Sequence, residues 1–134
     1  MTTLQFGVTD QDTAIALGSG DVPVLSTPRI LAWMEAATVA AAADSLDPGS
    51  TTVGVEVFLT HRRATAVGAQ VEVEVLEVGE LDRGLAFEVV ARQVSGAPAD
   101  AREGQQGGSG AGTILATARV VRAVVDRQAF LQRL

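Results

Sequence analysis

Two residues able to move protons stand nearly alone in apolar surroundings. Glu35 is the only charged residue between Arg29 and Asp44, in the stretch ILAWMEAATVAAAA. A carboxylate on such a helix has to be hydrated, paired or altered in protonation. Positions i±3 and i±4 hold Leu31, Ala32, Thr38 and Val39, so its own helix offers no basic partner. The chain's one histidine, His61, falls on an apolar face. An acid without a local partner and an imidazole, both aimed inward, suit acid–base chemistry near neutral pH. Thr27 precedes Glu35 by eight residues, slightly over two helical turns, which returns it near the same face. Gly54 lies inside a strand pattern, which it weakens unless something must approach the backbone closely. Plainer readings exist for each: Thr27 as a helix cap, His61 as a satisfied core group, and the adjoining Arg62 and Arg63 as a solvated strand end.

The elements that must position these residues are readable from pattern. Residues 3–8 suggest a short strand, and Thr9–Asp10 caps a short helical segment through Leu17. After a turn at Gly18–Asp21 comes the main helix. Thr27 serves as its N-cap, Pro28 as its first residue, and it runs to about Ser45 before Asp47-Pro48-Gly49 stops it. Four long strands follow. In Thr51–His61, Val53, Val55, Val57, Leu59 and His61 share a face opposite Thr52, Glu56 and Thr60. Gln70–Val78 alternates Val71, Val73 and Val75 against Glu72 and Glu74, Glu80–Arg83 is a turn, and Gly84–Val94 and Thr113–Val125 complete the set. Residues 95–112 are glycine-rich and polar and read as a flexible hairpin loop. Asp126 caps a last short helix. This is an α+β pattern, and a helix apolar nearly all round requires the sheet to wrap it.

Bulk properties narrow the class. A chain of 134 residues with 47% hydrophobic content is long and apolar enough for one domain, 1–134, with a real core. Without cysteine it can build neither disulfides nor a thiolate metal site. A net charge of −6 argues against nucleic-acid partners. The ten basic residues are all arginine; beside abundant Ala, Val and Gly this fits a GC-rich bacterial source. The start, MTTLQFGVTDQD, lacks the basic and apolar regions of a signal peptide, and the apolar run 30–43 is too short to cross a bilayer. A cytoplasmic protein without membrane contact is the expectation.

Four stretches carry a family resemblance: GSGDVPVLSTP (18–28), WMEAA (33–37), TTVGVEVFLTH (51–61) and VVRAVVDRQAFLQRL (120–134). Over nearly its whole length the chain resembles hotdog-fold acyl-CoA thioesterases of the fluoroacetyl-CoA thioesterase-like group. The resemblance implies an active site of Thr27, Glu35 and His61, with the Gly54 N–H polarising the thioester carbonyl. It implies an acyl-CoA substrate, no cofactor beyond the coenzyme A of that substrate, and no metal. It also implies a homodimer with the site at the interface, so that Glu35 and His61 come from different protomers. Arg62 and Arg63 are the candidates to meet CoA phosphates. The chain departs from the family in the last strand, where Ala116-Thr117-Ala118 replaces a Gly-Thr-His-type sequence. It also lacks recognisable aromatic gate residues, so fluoroacetyl specificity does not carry over.

Two rival readings share the fold. Ser19-Gly20-Asp21 with Pro23 is similar to an element of MaoC-type enoyl-CoA hydratases, but the histidine needed shortly after that proline is missing. A non-catalytic acyl-CoA or small-molecule binding module is the other, since fold does not set function.

Overall fold

The computed structural model describes residues 2–96 and 112–134. In chain order they form β1 (Thr3–Gly7), a 3₁₀ turn (Asp10–Asp12), α1 (Ala14–Leu17), α2 (Thr27–Ala43), β2 (Ser50–His61), β3 (Gln70–Leu81), β4 (Gly84–Ser95), β5 (Thr113–Asp126) and α3 (Arg127–Gln132). The strands make one antiparallel sheet in the order β1-β3-β4-β5-β2. Helix α2 lies against all five strands. Its Ile30, Met34 and Ala37 are fully buried, facing the fully buried Val71, Val73, Val75, Phe87 and Val120 of the sheet. Trp33 stacks on Phe6 of β1 with ring centroids 4.6 Å apart, closing the core at that edge. The α+β arrangement of a sheet wrapped on one apolar helix is the one expected. Among the described residues no helix is long and apolar enough to cross a membrane.

Three local differences from the pattern matter for the site. The N-cap of α2 is Ser26, whose Oγ accepts from the Arg29 N–H at 3.1 Å; Thr27 is the first helical residue. Ser26 is the residue with extended backbone, φ −79° and ψ 152°, as a cap requires, and this leaves the Thr27 hydroxyl free. The helix stops at Ala43 rather than Ser45, with Asp44 as C-cap.

The third difference lies in β2. Its register on β5 runs Val53↔Ala123, Gly54↔Arg122, then Glu56↔Val121, so Val55 is an extra, bulged residue. Alternation continued straight through would put Gly54 and His61 on opposite faces. The bulge shifts the parity, and His61, Leu59, Val57 and Gly54 now stand opposite Ala116, Ala118, Val120 and Arg122, the buried, inward row of β5. Gly54 and His61 therefore share the helix-facing side.

The hairpin between β3 and β4 is tighter than expected, with only Asp82 and Arg83 between the strands and Arg83 at φ +62°. At the far end of β4, Gln93 pairs with Thr113. The expected flexible loop 95–112 lies, from 97 to 111, outside the described residues. Asp126 does cap α3, accepting from the Ala129 N–H at 2.8 Å.

Candidate active site

The site residues fall into two groups. The first forms where α2 begins and β2 ends. Freed from capping, the Thr27 hydroxyl lies 2.8 Å from Nδ1 of His61. A hydroxyl can donate or accept, so this bond suits either neutral tautomer of the ring. Nε2 of His61 is buried and makes no well-formed hydrogen bond among the described residues. Burial disfavours the imidazolium and lowers the His61 pKa below 6.5, while the Arg63 backbone offsets part of that effect. The ring is thus held neutral near pH 7, able to accept a proton.

Thr27 and His61 line a pocket of about 280 Å³ together with Arg62 and Arg63. Both arginines are exposed, their backbone N–H groups bonded to the Leu115 carbonyl, and neither has an ion-pair partner among the described residues. Arg29, at the start of α2, is tied instead to the buried Asp12 at 2.9 Å. Asp12 also accepts from the N–H and hydroxyl of Thr9 and so fixes the segment before the helix.

The second group forms two turns along α2. Oε2 of Glu35 lies 3.3 Å from Nη1 of Arg122. Arg122 is only 7% exposed, and its other nitrogens donate to Thr52: Nε to Oγ1 at 2.8 Å and Nη2 to the carbonyl at 3.3 Å. Gly54 adjoins both side chains. A Cβ there would stand 2.7 Å from Oε2 of Glu35 and 3.4 Å from Nη1 of Arg122. The close approach to this glycine comes from the protein's own carboxylate.

Two expectations are corrected here. Glu35 is not an isolated acid: Arg122, 87 residues away in sequence, is its partner. Nor is it sealed in the core, since its side chain is 36% exposed in the single chain. Arg122 was visible only as part of the matching tail. Nothing in helical spacing points to it, because the contact is made across the sheet. Trp33 and Met34 are core residues, and Phe58 is 74% exposed.

The geometry predicts the outcome of Gly54→Ala. The new methyl meets the far end of a flexible side chain, so the fold survives and the carboxylate shifts. We expect a melting temperature within a few degrees of the parent and about ten- to a hundred-fold loss of turnover, the scale of a misplaced reacting group. Parent-like turnover with parent-like stability would show that the carboxylate's position beside Gly54 is not needed.

Within one chain the two groups stay apart. Glu35 is about 12 Å from Thr27 along the helix axis, and Gly54 is roughly 20 Å from His61 along the strand.

Comparison with known proteins is consistent over fold and length. The family model for the fluoroacetyl-CoA-specific thioesterase, FlK, matches residues 8–106. A crystal structure of an FlK variant in complex with fluoroacetate and CoA has 24% identity and a TM-score of 0.79, covering 99% of this chain and 95% of that one. Another FlK structure has 25% identity and a TM-score of 0.76, over 98% and 89%. A thioesterase-superfamily member from Thermus thermophilus has 17% identity and a TM-score of 0.78, over 98% and 88%. No curated protein matches the chain. The sheet wrapped on α2 is thus the hotdog fold of these thioesterases.

Proposed function

Because the chain belongs to the fluoroacetyl-CoA-specific thioesterase family, we propose that it hydrolyses an acyl-CoA thioester with Thr27, Glu35, His61 and Gly54. The observation that carries this reading is the pairing of a part-hydrated carboxylate, oriented by Arg122, with a neutral Thr27–His61 couple on the same side of the sheet. A binding module has no need of either.

In the proposed chemistry the Glu35 carboxylate attacks the acyl carbon or activates a water that does so. The Gly54 N–H polarises the carbonyl, worth about 3–4 kcal/mol of barrier for one such donor. Thr27 positions water or substrate. In direct attack the C–S bond breaks as a mixed anhydride forms on Glu35, and a water that gives a proton to His61 then hydrolyses that anhydride; in the water route the proton lost by water passes from Glu35 to His61 as the C–S bond breaks. Either way His61 returns the proton to the thiolate, and acid and thiol leave. Arg62 and Arg63, exposed at the pocket rim, meet the CoA phosphates.

The two groups become one site in a homodimer. Strand β2 is a sheet edge with Val55, Val57 and Phe58 exposed on it, a surface suited to a second copy. Antiparallel pairing of two β2 edges about a two-fold axis at Phe58, with Val55 left over as the bulge, sets Gly54 of one copy opposite His61 of the other. Glu35 then works with His61 of the second protomer.

Thiol release from a panel of acyl-CoAs, acetyl to long-chain and aromatic, tests the function. Turnover on at least one member is expected; a folded dimer inactive on all would favour the binding module. The same assay gives a pH profile. Neutral His61 is the proton acceptor, and burial keeps it neutral to below pH 6.5. The rate should fall on acidification along a limb centred below pH 6.5. An acid limb centred above 6.5 would contradict this role.

A further inference from the structure

The guanidinium of Arg122 could grip a carboxylate more firmly than it grips Glu35. A guanidinium presents its N–H donors on a planar fork, and its strongest pairing with a carboxylate uses two parallel hydrogen bonds of about 2.7–2.9 Å. Here one nitrogen meets one oxygen, Nη1 to Oε2 at 3.3 Å. Oε1 of Glu35 has no hydrogen-bond partner among the described residues. Thr52 takes the other donors. Its hydroxyl accepts from Nε at 2.8 Å and its carbonyl from Nη2 at 3.3 Å, so the Nε–Nη2 edge of the fork is occupied. Register brings Thr52 there. It pairs with Val124, two residues beyond Arg122 on the same face of β5, which makes Arg122 its diagonal neighbour, within reach of a long side chain.

We infer that Thr52 is a positioning residue: by holding two guanidinium nitrogens it keeps Arg122 from clamping both oxygens of Glu35, and so leaves Oε1 for the acyl carbon or for water. The inference rests on the hydrolase reading above and adds a residue to that site. Competition for donors is the physical reason. Arg122 is almost fully buried, so an N–H that loses its acceptor finds little water and turns to another acceptor in reach. That acceptor is Glu35, already in contact. A carboxylate engaged through both oxygens must give up a charge-assisted hydrogen bond before either can attack or take a proton. Thr52 therefore governs how Arg122 orients Glu35 without touching the substrate.

The experiment measures kcat, KM and Tm for Thr52→Val and Thr52→Ser on the parent's best acyl-CoA, and repeats Thr52→Val in the Arg122→Met background. Valine keeps the β-branched shape beside Val124, so the strand is retained and the hydroxyl acceptor alone is lost. Thr52→Ala removes the same acceptor and serves should Thr52→Val misfold. The expected result for Thr52→Val is a kcat about ten-fold lower with KM within about two-fold, the split for a group that acts on the chemistry and not on binding. Thr52→Ser keeps the acceptor and should stay within about three-fold of the parent kcat. Added to Arg122→Met, Thr52→Val should change kcat by less than about two-fold, because Thr52 acts through the arginine. Parent-like kcat in Thr52→Val, an equal loss in Thr52→Ser, or losses that multiply with Arg122→Met overturn the positioning role while leaving hydrolysis in place. Absence of parent turnover on every acyl-CoA overturns the hydrolase reading and this inference with it.

Discussion

Glu35→Gln is expected to lower kcat on a good acyl-CoA by about 100-fold or more, the range for losing acid–base or nucleophilic help. The substitution isolates charge from structure. Glutamine keeps the volume beside Gly54 and still offers Arg122 an oxygen acceptor, so neither the helix nor the sheet contact has reason to change. The residue is also part-exposed, which spares the fold a buried-polar penalty. Thiol release and a melting curve on the same preparation separate the two effects. Near-parent turnover would remove Glu35 from the mechanism.

Arg122→Met should cost both stability and turnover. Its guanidinium is almost fully buried and holds Thr52 through two hydrogen bonds while reaching Glu35 with a third nitrogen. Losing these contacts removes about 1–3 kcal/mol, a fall in Tm of about 5 °C for a domain of this size. The carboxylate, no longer oriented, should lose at least about ten-fold in kcat. Arg122→Lys is the informative companion. It keeps the charge but cannot bridge Thr52 and Glu35 with a planar fork, so it should restore stability better than activity. Parent-like kcat in Arg122→Met would make the arginine a structural residue only.

Much of this site was legible in the chain because its chemistry-bearing residues are scarce. One histidine and one acid in an apolar helix leave few candidates, and the strand and helix boundaries followed from alternation and punctuation. What pattern could not supply were long-range or register facts. Glu35 finds its partner on β5, beyond any helical spacing. The bulge at Val55 inverts the faces of β2, and strict alternation has no means of placing it. Ser26 and Thr27 are both acceptable caps by type; backbone conformation selects Ser26, and that choice is what frees Thr27 for His61.

The account turns on two separated half-sites becoming one across a two-fold axis, and mixing two inactive variants tests it directly. Glu35→Gln and His61→Ala are each expected to be inactive as homodimers. When they are co-expressed and reassorted, half of the dimers are mixed, and each mixed dimer carries one site with both Glu35 and His61 intact. Recovery to about a quarter of parental thiol release is the predicted result. Recovery of nothing from a verified heterodimer would contradict the shared site and place Glu35 and His61 in separate roles.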